Sequence, residues 1–175
     1  MATSSRPIDL FWAPSWETLY QSYFHELSAE SVVTRWQKID LVVAILVAIT
    51  ASGSAIAGWS LWSEPGWKTL WVAIAGGAAL ISAVHGAAAI PTRIKEQEEI
   101  RRKFSGLRTG LQTFRQELTL GVDGDAARKE YHELRRKFEE SVANSRRDMA
   151  LTENLQLLVQ NRVDKILKGE AKSGT

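Results

Sequence analysis

LVVAILVAITASGSAIAGWSLW, Leu41 to Trp62, is 22 residues long and carries no charge. A second run of the same length, TLWVAIAGGAALISAVHGAAAI from Thr69 to Ile90, has His85 as its one ionisable side chain. Only residues 63–68, SEPGWK, separate the two. At a 1.5 Å rise per residue each run makes a helix of about 33 Å, the reach needed to cross a hydrocarbon core of ~30 Å. Backbone amides in lipid must be satisfied within their own segment, which requires helices, and a six-residue join requires an antiparallel pair. The spacing therefore predicts a transmembrane hairpin over residues 41–90, with spans 41–62 and 69–90 and an outer turn at 63–68.

The flanking residues support that reading. Trp59, Trp62, Trp67 and Trp71 are four of the chain's seven tryptophans, and they crowd around the Pro65–Gly66 turn. An indole buries its ring and keeps its N–H wet at a membrane–water boundary, so these mark one interface and Trp36 the other. Across 175 residues the net charge is only +2. The charges are segregated, however: residues 41–90 hold Glu64 and Lys68 alone out of 22 basic and 20 acidic side chains. Two different solvents along one chain give such a pattern. Arg35, Lys38, Arg93, Lys95, Arg101, Arg102, Lys103 and Arg108 lie near the ends of the runs facing the termini, against Lys68 at the turn. The bias of basic residues toward the cytoplasmic side puts both termini in the cytoplasm of a multi-pass protein of the inner (cell) membrane. The N-terminus lacks the basic, apolar and small-residue sequence of a cleavable signal peptide. With no cysteine, disulfides and thiolate metal sites are excluded.

Within the second run Ala75, Ala79, Ala83 and Ala87 repeat every four residues beside Ala78, Ser82 and Gly86. Leu70, Ile74, Leu80, Ile81 and Val84 fall opposite. A small face suits helix packing and a bulky one suits lipid. The first run has its own stripe of Ala44, Ala48, Ala51, Ala55 and Gly58. Two such faces are more than one hairpin uses to close on itself, so a homo-oligomer is expected, with packing inside a single hairpin as the alternative. Thr50, Ser54, Ala79, Ser82, Ala83 and His85 are the candidates for pore lining or helix packing. His85 either lines a pathway or bonds to Ser82 or to headgroups.

Outside the hairpin the chain reads as amphipathic helix. Residues 1–40 give one helix with Leu19, Tyr20, Tyr23, Phe24 and Leu27, then a second, capped by Ser28, with Val32, Trp36 and Ile39. In residues 91–175, Ile100, Phe104, Leu107, Leu111, Phe114 and Leu118 follow a 4-3-4-3-4 heptad seam behind Pro91, which either occupies the first turn or kinks the chain. Phe104, Leu107, Leu111 and Phe114 form the expected coupling seam. Gly106 and Gly110 mark a close helix contact or a flexible point. GVDGD, Gly121 to Asp125, breaks the chain and offers an Asp cap. Beyond it lie a helix with Tyr131, Leu134, Phe138 and Val142 on one face and another, around Thr152 to Lys168, with Leu155, Leu158, Val159, Val163 and Ile166. The tail GEAKSGT is expected to fray. Arg101, Arg108 and Arg115 recur every seven residues. They either hold an anionic ligand or pair with Glu130, Glu133 or Glu140. No phosphate loop, nucleophile motif or ligand-spaced histidines occur, so neither an enzyme nor a cofactor is expected. The fold class is an all-α membrane protein, a two-helix hairpin with N-terminal amphipathic helices and a cytoplasmic helical bundle.

This arrangement, with WETLYQSYF ahead of the hairpin and PTRIKEQEE behind it, resembles the SLATT family, the SMODS- and SLOG-associating two-transmembrane effectors of bacterial defence systems. The resemblance implies a pore-forming or membrane-disrupting effector in antiphage defence by abortive infection. Its trigger is then a cyclic-nucleotide signal or a sensor protein, with the lipid bilayer as its target and no direct nucleic-acid contact. The other function class open to the sequence is a non-conducting membrane adaptor that recruits a soluble partner. The small face yields a direct test of assembly. Ala79→Leu or Ala83→Leu should reduce the oligomer size in detergent and Leu80→Ala should not; unchanged migration of all three removes this face as the interface.

Overall fold

The computed structural model describes residues 7–60, 89–145 and 151–173, with the side chains of 49–60 and 170–173 excepted, and seven single positions between 61 and 88. Four helices are described: α1 Pro7–Ser60, α2 Ile90–Leu120, α3 Gly124–Asn144 and α4 Glu153–Ser173. The all-α expectation holds. The single positions, Thr69, Ala73, Gly76, Gly77, Ala79, Leu80 and Ala83, are helical and exposed. The rest of the predicted second span and the turn lie outside the described residues. Among the described residues, no helix is long and apolar enough to cross a membrane.

The chain groups into two units, Met1–Val33 with Glu96–Thr175, and Thr34–Lys95. The N-terminal segment thus shares a unit with the C-terminal helices, although more than sixty residues separate them in sequence. In this first unit the start of α1 packs antiparallel to α2. Trp12 meets Arg115, Tyr23 meets Arg108 and His25 meets Phe104, so numbers rise on one helix as they fall on the other. One core cluster joins Leu19, Tyr23 and Leu27 of α1, Leu111 of α2, and Val159, Val163 and Leu167 of α4. A second joins Phe114 and Leu118 of α2 to Ala127 and Tyr131 of α3, with Ile8 and Phe11 of α1 packed against them.

The heptad seam of α2 is this core. Phe104, Leu111 and Phe114 are 0% exposed, and each such side chain stabilises the fold by about 2–3 kcal/mol through removal from water. The face of α1 that meets it is lined by small polar residues as well as by Leu19 and Tyr23. Ser15 and Ser22 are fully buried and Thr18 nearly so. Their hydroxyls donate to the carbonyls of Trp12, Pro14 and Thr18 in their own helix, which satisfies them without a partner and keeps this face thin. Pro7 opens α1, where its missing N–H costs nothing. Pro14 lies inside it and deprives the Leu10 carbonyl of its i+4 donor, while the Pro14 carbonyl takes the Thr18 hydroxyl.

The ends of α2 and α3 follow their sequence signals. Ala89, at φ 48°, turns the chain into α2, and its carbonyl accepts from the N–H groups of Thr92 and Arg93, so Pro91 sits in the first turn. Gly121, at φ 87°, closes α2 in a left-handed conformation that glycine adopts without strain. The Asp123 carboxylate caps α3 by accepting from the N–H groups of Asp125 and Ala126. The two α2 glycines differ: a Cβ at Gly110 would stand 3.0 Å from Leu134 Cδ2, whereas nothing lies within 4 Å at Gly106. Close contact therefore accounts for Gly110 alone.

Three expectations are corrected. Ser28 caps nothing: α1 runs through it without a break, because SAES offers neither the glycine nor the proline that would stop a helix. On α4 the buried stripe is Val159, Val163 and Leu167, while Leu158 is 60% exposed; these three, spaced every four residues, pack with Leu111 and leave Leu158 outside. The tail is helical as far as Ser173.

In the second unit Arg93 lies 5.7 Å from the Trp36 ring centroid. Along α1 the large apolar side chains Leu41, Val42, Ile45, Leu46 and Val47 are all exposed.

Ser28 distinguishes the two readings of α1 by sign. Its Oγ is buried with no hydrogen-bond partner, which costs about 1–3 kcal/mol of desolvation. Ser28→Ala should therefore raise stability by about 1 kcal/mol in denaturant melts of the full chain, whereas loss of a true cap lowers it by about as much.

Candidate functional site: the clasp between α1 and α2

The contacts that carry chemistry lie where α1 meets α2. Arg108 Nε donates to Glu26 Oε2 at 2.7 Å, and its guanidinium lies 5.1 Å from the Tyr23 ring centroid. Gln112 Nε2 donates to the Tyr23 hydroxyl at 3.0 Å. Burial opposes the charge on Arg108, but the hydrogen bond and charge of Glu26 prevail and leave its pKa above the ordinary arginine value. Both side chains of this ion pair are partly shielded from water, at 27% and 16% exposure, which makes it worth more than the exposed pairs of α3.

Arg115 is held differently. It is 8% exposed, and its Nη1 donates to the Trp12 carbonyl at 2.8 Å and to Ser15 Oγ at 3.1 Å. Its guanidinium lies 3.7 Å from the Trp12 ring centroid and 4.8 Å from that of Trp16. Among the described residues no carboxylate takes part. Two indole faces and two neutral oxygens compensate the cation, and burial lowers its pKa without making it neutral at any ordinary pH.

Further along α1, His25 stacks on Phe104 with ring centroids 4.6 Å apart and planes at 16°. Phe24 meets it edge-on at 5.8 Å, and Phe138 lies tilted to it at 6.1 Å. Burial pushes the His25 pKa below its ordinary value. On α4 the Tyr20 hydroxyl donates to Asp164 Oδ1 at 3.1 Å, and Arg162 reaches Glu30 at 3.5 Å.

The structure separates the candidate residues. Phe104, Leu107, Leu111 and Phe114 are all buried in the first unit, docked on α1, α3 and α4. Arg101 is exposed, and Arg108 and Arg115 are committed to α1. The arginine row therefore makes no common anion site. The suggested pairing with α3 is corrected too: Glu133 is bound by Lys137 and Glu140 by Arg136. Heptad spacing aligns residues along one helix and does not say which neighbour that side faces. Ala79 and Ala83 are exposed. Thr50 and Ser54 lie in the backbone of α1, their side chains outside the described residues, as are Ser82 and His85. Among the described residues no group of His, Cys, Asp or Glu could hold a metal.

Sequence reasoning missed Trp12, Ser15, His25 and Glu26. A signal existed in Ser15, Thr18 and Ser22, spaced three and four apart on one face, which is how a helix permits close approach. Comparison with family models, with curated proteins and with solved structures finds no match for this chain.

The pH dependence of the clasp follows from His25. Its folded pKa is depressed, so its stabilising contribution is complete above the unfolded value of 6.5 and is lost as pH falls, when the unfolded chain takes up the proton first. Glu130 acts in the opposite sense. Burial and the facing Glu117 raise its pKa, so its stabilising contribution is present below the ordinary carboxylate value and is lost as pH rises. In chemical melts between pH 8 and 5, wild type should lose stability relative to His25→Phe by up to about 1.4 kcal/mol per pH unit below 6.5. A difference that stays flat with pH would show that His25 remains solvated.

Proposed function

We propose that the protein is an oligomeric pore-forming or membrane-disrupting effector, of the kind that its resemblance to the SLATT family implies, kept closed by the α1–α2 clasp until a signal or partner acts on the helical bundle. One observation supports this most directly. α1 continues without interruption from the clasp into Leu41, Val42, Ile45, Leu46 and Val47, five large apolar side chains exposed on successive turns. A helix that exposes large apolar side chains over most of its surface has water as an unfavourable solvent and lipid as a favourable one. The uncharged sequence continues to Trp62, and the second uncharged run follows. In this reading both termini are cytoplasmic and the tryptophan-rich turn is external.

The clasp supplies the control element. Trp12, Tyr23, His25 and Glu26 attach α1 to α2 at intervals along the helix, so loosening that attachment frees the segment that continues into the apolar run. The adaptor reading has its own observation, since Leu157 and Leu158 are each 60% exposed on α4 and offer a surface to a soluble partner.

Efflux from reconstituted vesicles separates the two. Phe104→Ala removes the ring that His25 stacks on and should raise dye efflux above wild type while leaving insertion unchanged. Cysteines at Ser4 and Ser173 should resist impermeant thiol reagents in intact cells and one at Ser63 should react. Vesicles that stay sealed with wild type and Phe104→Ala alike, in protein that has inserted with this topology, favour the adaptor.

A further inference from the structure

Gly106 and Gly110 lie one turn apart on the same face of α2, and only Gly110 is explained by its surroundings. Glycine weakens a helix interior, and at Gly106 no neighbouring atom comes within 4 Å of where a Cβ would stand. The empty space belongs to a cavity of ≈ 430 Å³ between α2 and α3. Its apolar floor is Leu107 and Leu134, and Arg102, Lys103 and Lys137 stand around it with Ser141. Among the described residues its lining contains one carboxylate, Glu140, which Arg136 already holds at 3.2 Å.

The three cations are weakly committed. Lys103 and Lys137 each reach the glutamate one turn earlier at 2.8 Å, with side chains about half exposed at 48% and 53%. Exposed pairs of this kind contribute little and exchange readily for a better anion. Arg102 donates its Nε to the Glu98 carbonyl at 3.4 Å, a long bond that leaves its two Nη groups with no partner among the described residues. The Ser141 hydroxyl donates to the Lys137 carbonyl at 2.8 Å, so its lone pairs remain to accept from a ligand hydroxyl. Cations from two helices around an apolar floor, with a glycine where a side chain would fill the space, match a compact organic phosphate.

We propose that this cleft binds a phosphomonoester, its dianion bridged by Arg102, Lys103 and Lys137 and its organic part lying over Gly106 on Leu107 and Leu134. The site is distinct from the row Arg101, Arg108 and Arg115, and it does not depend on whether the protein conducts. A phosphomonoester group occurs both on free metabolites and on the headgroup of phosphatidic acid, and the same chemistry recognises both.

The test is calorimetric titration of the full chain in neutral detergent with glycerol 3-phosphate, glycerol, dihexanoyl phosphatidic acid and dihexanoyl phosphatidylcholine. Saturable binding of either phosphomonoester, with none of glycerol or phosphatidylcholine, supports the site. Binding of glycerol 3-phosphate identifies a free ligand as sufficient, and binding of phosphatidic acid alone identifies the lipid. Lys137→Ala and Arg102→Ala should each weaken binding about tenfold, the effect of losing one charge-assisted bond. Gly106→Leu should abolish it, and Gly106→Ala provides the folding control because it should melt at or above the wild-type temperature. Absence of binding by both phosphomonoesters overturns the proposal. So does binding that survives Gly106→Leu and both charge variants unchanged.

Discussion

The heptad stripe of α2 cannot be left in water, and covering it dictates the arrangement of the first unit. Phe104, Leu111 and Phe114 sit on a helix otherwise crowded with arginine, lysine and glutamate. Their cover comes from three sides. α3 brings Tyr131 and Phe138, α4 brings Val159 and Val163, and α1 brings Leu19, Tyr23 and His25. The first two follow α2 along the chain and are joined to it in sequence by short segments. α1 is the remote contributor, and it meets α2 through a face made thin by Ser15, Thr18 and Ser22. Bulky residues there would have held the helices apart and left the stripe partly wet.

Charge reinforces this packing in two physically different ways. Arg108 keeps a carboxylate partner and remains strongly basic, its cost of burial offset by Glu26. Arg115 is more deeply buried and has no carboxylate partner among the described residues; indole faces, a backbone carbonyl and the Ser15 hydroxyl surround it instead. The Trp12 carbonyl accepts from the Ser15 hydroxyl and from Arg115 together, so one backbone oxygen serves a serine and an arginine. The two arginines look equivalent at seven-residue spacing. Their surroundings make one an ion pair and the other an aromatic clamp.

That contrast shows what was legible in the sequence. The α2 seam was legible because large apolar residues at heptad spacing on a highly charged helix must be covered by a neighbour. The α3 cap was legible because Asp after a glycine-containing break has a local cause. Local rules reached their limit where the answer depended on a distant partner. Ser28 satisfies the residue preference of a cap, yet nothing near it stops the helix. Leu158 and Leu167 are equally apolar, and only the direction of Leu111 decides between them. For the candidate site, the coupling seam was found while the residues that engage it from α1 were not. Glu26 and His25 look like ordinary surface residues until their counterparts some eighty positions away are known.

The same separation has a consequence for biosynthesis. Glu26 and Arg108 are 82 residues apart, and Trp12 and Arg115 are 103 apart. At roughly 5–20 residues per second, α1 waits several seconds on the ribosome with Leu19, Tyr23 and Leu27 uncovered before α2 exists to meet them. During that interval the whole of residues 34–95 is made. The clasp can form only after the middle of the chain has been delivered, so its closure is a late event that records the completion of everything translated between its two halves.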